Sequence, residues 1–141
     1  KKLIFHLNLD QIIKIYPDYI DESDISQTLA ENDLIVFPYQ SSNESSSAAV
    51  RDGLSSLRPV LVTPLPIFDD VANFVDYFPG FSPDQLALGL KLFYKKHSSK
   101  GYSSHEFEIK RNTQLKYRRF SHLSKRIKNI IHSLELNNVQ N

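Results

Sequence analysis

Asp33-Leu34-Ile35-Val36-Phe37-Pro38 and Pro59-Val60-Leu61-Val62-Thr63 are the two stretches on which the fold turns. Both are continuously apolar and short, and both are rich in β-branched residues. Continuous rather than alternating apolarity marks strands covered on both faces, as in a parallel sheet. The 20 residues between them leave room for a polar loop over 39–43 and a helix over about 45–56. Ala49, Val50 and Leu54 are the predicted buried stripe of that helix. Strand, helix, strand at this spacing is the unit of a parallel sheet, because parallel neighbours need a long crossover.

Working outward, Ser23 is a candidate cap for a helix over 24–31, with Ile25 and Leu29 turned inward. Ile12-Ile13-Lys14-Ile15-Tyr16 reads as a strand stopped by Pro17. Leu3, Ile4 and Leu7 suit the tail of a helix over 2–8. Downstream, Pro64 and Pro66 end the second strand, and one or two helical turns are expected over 67–73. A weaker strand over 75–81 is broken by Pro79-Gly80. Ser82 caps the next helix, with Pro83 in its first turn and Leu86, Leu90 and Phe93 along it to about residue 96. The expected class is therefore α/β: a Rossmann-like parallel sheet with helices on both faces, joined by right-handed crossovers. The predicted organisation is a partial Rossmann-like domain over 1–96, a polar linker over 97–104 and a basic helical tail over 105–141. Ser103 and Glu106 form a candidate capping box for the tail, which has a possible break near Phe120-Ser121.

Composition narrows the class. The chain has 141 residues, 40% hydrophobic and 23% charged, which suits one globular domain. No apolar run approaches the roughly 20 residues of a membrane-spanning helix. Without cysteine there is no disulfide or thiolate chemistry. The sequence begins Lys1-Lys2-Leu3-Ile4-Phe5 and contains no Met, so it reads as part of a longer protein. The net charge of +1 conceals a division. Residues 1–90 carry 5 Lys/Arg against 13 Asp/Glu, a net −8, and residues 91–141 carry 12 against 3, a net +9. A basic arm on an acidic body suits nucleic acid, anionic lipid or an acidic protein surface, or is simply a solvated helix face.

Ligands of parallel α/β sheets bind beyond the carboxyl ends of the strands, so the segment after Phe37 is the first place to seek a site. It runs Tyr39-Gln40-Ser41-Ser42-Asn43-Glu44-Ser45-Ser46-Ser47-Ala48-Ala49. Small residues allow close backbone approach, and the free N–H groups of a helix start favour an anion. Ser45, Ser46 and Ser47 add hydroxyls. The plain alternative is an ordinary serine cap. Glu44 either faces a ligand or stabilises the helix dipole. Asp52, a little over two helical turns later, either accepts bonds from ribose hydroxyls or forms a surface ion pair with Arg51 or Arg58. Tyr16, Tyr19 and Tyr39 follow predicted strand ends and are candidates for stacking on a base or for half-buried loop positions.

The run from Asp33 to Thr63 resembles the donor-binding, C-terminal half of the retaining GT-B glycosyltransferases typical of bacterial polysaccharide and lipopolysaccharide synthesis. Glu44 matches the family's first acidic position, Asp52 the second, eight residues on, and Arg58-Pro59-Val60 the entry to the next strand. Three departures stand out: Asp52 replaces glutamate, Leu57 stands where glycine is usual, and Ser45-Ser46-Ser47 replaces a glycine-rich turn. Ile67-Phe68-Asp69-Asp70-Val71 resembles the segment that shapes the donor pocket. Residues 82–94 and Phe120-Ser121-His122 resemble later helices of the same half. The likeness covers about residues 15–135 and is most specific over 33–63.

This resemblance implies a metal-independent hexosyl-type transferase, cytoplasmic or peripheral at the inner membrane. It would move a sugar from a nucleotide-sugar to a saccharide or lipid-linked acceptor in cell-surface polysaccharide assembly. Glu44 would be the catalytic residue, with Ser45, Ser46, Ser47 and Asp52 binding the donor. No cofactor beyond the donor is implied, and the partner would be an N-terminal GT-B half. A non-enzymatic GT-B-like interaction domain is the alternative. A nucleic-acid-binding domain ranks last, since aromatic and basic residues do not interleave on the strands. His6, His97, His105, His122 and His132 are dispersed and beside no nucleophile. No Gly-x-Gly-x-x-Gly or Gly-Lys-Ser/Thr loop occurs among the four glycines. The acidic residues are too scattered for a metal cluster.

Overall fold

The two apolar stretches form adjacent parallel strands. In the computed structural model, which describes residues 1–98, 109, 112, 113, 116 and 120–138 (side chains to 134), β1 (Ile35–Phe37) pairs with β2 (Val60–Val62). The register sets Ile35 against Val60 and Phe37 against Val62. β3 (Asp76–Tyr77) adds to the other side of β2, giving an open three-stranded parallel sheet in the order β1-β2-β3. The helices are α1 (Lys2–His6), α2 (Glu22–Ala30), α3 (Ala48–Ser55), α4 (Pro83–Ser98) and α5 (Phe120–Asn138), with a 3₁₀ segment over Pro66–Phe74. The fold is thus α/β with a small parallel sheet. Ser103, Glu106, Leu115, Arg118 and Arg119 lie outside the described residues.

One sheet face carries the core. Ile35, Val60 and Val62 meet Val50 and Leu54 of α3 and Ile67, Phe68 and Val71 of the 3₁₀ segment. Burying such side chains stabilises by roughly 1.5–3 kcal/mol each, and Val50, Val62 and Phe68 have no exposed surface. The buried stripe of α3 is Val50, Gly53 and Leu54; Ala49, expected in it, is exposed. Gly53 is there because a Cβ would stand 3.0 Å from the Phe37 ring, so glycine lets the helix approach the sheet. On the opposite face, Leu61 lies in register between Val36 and Asp76. α4 reaches this side through Gly89, where a Cβ would lie 2.4 Å from Phe78, and through a Lys96–Asp76 ion pair at 3.7 Å.

Several expectations shift for physical reasons. Residues 12–16 form no strand: Ile12 and Ile13 both donate backbone bonds to the Leu9 carbonyl, and all of 11–20 is exposed. A β-branched run stays unpaired when no neighbouring strand takes up its hydrogen bonds. Helix α2 begins two residues early, and its N-cap position is Asp21, not Ser23. Its Ile25 and Leu29 are half-buried, with Leu29 against the core. Ser82 does cap α4: its Oγ accepts the Gln85 N–H at 3.3 Å, and Gln85 Oε1 accepts the Ser82 N–H at 3.1 Å, the reciprocal pair of a capping box. The apolar residues of α5 at helical spacing, Phe120, Leu123, Ile127, Ile130, Ile131 and Leu134, are exposed, each at least 43% accessible.

Candidate functional site

Loops from all three strands are tied together at the carboxyl end of the sheet. Thr63, directly after β2, is fully buried and donates through Oγ1 to the Tyr39 carbonyl at 2.7 Å. Gln40 donates through Nε2 to the Phe81 carbonyl at 3.2 Å. The chain after β1 is thereby fastened to the chains after β2 and β3. Tyr39 takes the half-buried loop role: its ring packs edge-on against Phe37 and tilted against Phe68. Tyr16 and Tyr19 are 75% and 82% exposed on the N-terminal segment.

The serine run then divides into three roles. Ser42 Oγ accepts the Glu44 N–H at 3.2 Å, which shapes the turn. Ser45 and Ser46 are exposed and precede the helix, which starts at Ala48 rather than at residue 45. Ser47 is the N-cap: its backbone is extended, it is 2% exposed, and its Oγ accepts the Val50 N–H at 3.2 Å. A serine gains more at this position than inside a helix, where its hydroxyl competes with the backbone. The Ser47 oxygen is therefore engaged by its own helix. Glu44 is exposed three residues before the cap, and its carboxylate takes no hydrogen bond or ion pair among the described residues.

Asp52 is exposed on α3. At 100° per residue it stands roughly 160° from both Val50 and Leu54, on the outer face of the helix. It pairs with neither basic neighbour. Arg51 pairs with Asp70, and Arg58 donates through Nε to the Ala30 carbonyl at 2.7 Å. Because Glu44 lies outside the helix, periodicity does not place it on one helical face with Asp52. Glu44 precedes α3 and Asp52 lies in its middle, and no hydrogen bond joins the two.

One residue that sequence reasoning did not put in the site stands beside it. Arg51, half-buried in the first turns of α3, donates through Nη1 to the Ser47 carbonyl at 2.7 Å and through Nη2 to the Asp70 carboxylate. Asp70 belongs to the 3₁₀ segment after β2. Close by, burial and then the carboxylates of Asp69 and Asp70 push the Tyr77 hydroxyl above the usual tyrosine range. The signal for Arg51 was its place beside Val50, on the border of the buried stripe. Leu57 is the other surprise. It follows the C-cap Ser56 with φ 59° and donates its N–H to the Leu54 carbonyl at 3.2 Å. This is the left-handed helix stop that glycine usually fills, and here a leucine adopts it.

No group of three or more His, Asp or Glu suited to a metal ion occurs among the described residues. No helix among them is long and apolar enough to cross a membrane. Comparison with protein families, curated proteins and solved structures finds no match to the chain.

Proposed function

We propose that the chain is the donor-binding part of a metal-independent retaining glycosyltransferase of GT-B architecture. It would carry a sugar from a nucleotide-sugar to a saccharide or lipid-linked acceptor in cell-surface polysaccharide assembly. The observation that carries the reading is the exposed Glu44-Ser45-Ser46 turn beyond the carboxyl end of the parallel strand β1, leading straight into α3. With Val50 N–H taken by Ser47, the N–H groups of Ala48 and Ala49 are the helix-start donors left for a diphosphate. Glu44 is assigned to the sugar side of the donor, and Asp52 to its ribose. The reading includes an N-terminal GT-B half holding the acceptor, and cytoplasmic work at the inner membrane. α5 supports that location: Phe120, Leu123, Ile127, Ile130, Ile131 and Leu134 fall in a stripe roughly 100° wide, bordered by Arg126 and Lys128.

The outward position of Asp52 favours a second reading, a GT-B-like module that binds a partner protein and has lost its donor. Titration of the full-length protein with UDP, GDP and ADP separates the two. Saturable binding of one of them, weakened by Asp52→Asn, supports the transferase. Absence of binding to all three supports the module.

A further inference from the structure

We propose that Arg51 is a positioning residue of the donor site, fixing the Glu44–Ser47 turn against the chain that follows β2; the inference rests on the donor-site reading above. The guanidinium joins the backbone carbonyl of Ser47, at 2.7 Å, to the side-chain carboxylate of Asp70 in the 3₁₀ segment. The arrangement is an unusual one for a helix. Arg51 folds back toward the amino end of its own helix, where the dipole disfavours a cation. It lies against the carbonyl of the N-cap, which in a helix ordinarily accepts only from the backbone. The Asp70 carboxylate offsets that unfavourable placement. Both groups are partly exposed, with side chains 38% and 42% accessible, so the pair contributes little to stability. What it does is geometric. The turn is pinned at its start by Ser42 and at its end by Ser47, but both of these bonds are local to the chain around it. Thr63 and Gln40 fasten the loop after β1 near its beginning, at residues 39 and 40; Arg51–Asp70 adds a tie from the far end of that loop to the 3₁₀ segment after β2. A planar guanidinium serves two acceptors at once, which a lysine ammonium at the same place does not reproduce.

The test uses the full-length protein, with the nucleoside diphosphate among UDP, GDP and ADP that the wild type binds, followed by calorimetric titration and thermal unfolding. Arg51→Lys and Asp70→Asn should each weaken binding by about fivefold while moving the unfolding midpoint little. The double variant should be no weaker than the weaker single, because both act through one joint. Arg58→Ala removes a comparable tie to Ala30 at the opposite end of β2; it should alter stability without altering affinity. Unchanged affinity in the Arg51 and Asp70 variants, additive losses, or tighter binding in Asp70→Asn would overturn the positioning role while leaving the donor site standing. If the wild type binds none of the three, the donor-site reading and this inference fall together.

Discussion

Replacing Ser47 with alanine removes the oxygen that accepts the Val50 N–H at 3.2 Å. Helix α3 has only eight residues, so one lost cap bond is a large part of its N-terminal satisfaction. Cap serines changed to alanine cost about 0.5–2 kcal/mol. Ser47 is 2% exposed, so water replaces the lost partner poorly, and the cost should lie in the upper half of that range. For a chain of 141 residues, each kcal/mol lowers the melting midpoint by roughly 2–4 °C. Ser47→Gly should cost only a few tenths of a kcal/mol, because glycine leaves the backbone accessible at a cap. Ser45→Ala and Ser46→Ala, both at exposed positions before the helix, should stay within about 0.5 kcal/mol of wild type. Urea unfolding followed by far-ultraviolet circular dichroism measures all four. Wild-type stability in Ser47→Ala, or a larger loss in Ser45→Ala, would refute the division of roles within the serine run.

Leu57→Gly should stabilise the protein by about 0.5 kcal/mol in the same assay, because relief of left-handed strain, roughly 1–2 kcal/mol, exceeds the added flexibility of glycine, roughly 0.5–1 kcal/mol; a loss would mean that packing by the leucine outweighs its strain. The raised Tyr77 pKa has a definite sign: the unfolded tyrosine ionises first, near pH 10, so the stability this group contributes is full below that pH and is lost as pH rises through the folded value. Tyr77→Phe should flatten that alkaline decline, and an unchanged slope in denaturation curves taken from pH 9 upward would contradict it. Full-length protein should sediment with anionic liposomes at low salt and less at high salt, and changing Lys125, Arg126 and Lys128 to Gln should reduce binding; retention on neutral vesicles regardless of these residues would remove the membrane role of α5.

The parallel sheet could be read from sequence because its evidence is dense and local. Leu34 to Phe37 and Val60 to Val62 are apolar without interruption, the pattern of parallel strands; β2 is covered on both faces as expected, whereas the edge strand β1 leaves Val36 40% exposed. The helix between them was equally legible, but its start was not. Three consecutive serines offer three caps, and only tertiary packing, which buries Ser47 and leaves Ser45 and Ser46 outside, chooses among them. The run at residues 12–16 misled for the opposite reason: β propensity reports fit to a pleated surface, and no such neighbour is present there. Arg51 and Asp70 were invisible as a pair because their 19-residue separation carries no periodic signal. Leu57 was visible as an oddity, a leucine where a glycine was anticipated; its positive φ is the backbone conformation that glycine usually takes.

The central claim is that the exposed Glu44 turn faces a nucleotide-sugar. Its most direct measurement is donor turnover by full-length Glu44→Ala beside wild type, with folding checked by the thermal midpoint. The account predicts a fall in turnover of about 100-fold or more, the scale on which removing one group that stabilises a transition state acts, with the midpoint unchanged because the carboxylate makes no stabilising contact among the described residues. Wild-type turnover in Glu44→Ala would contradict it.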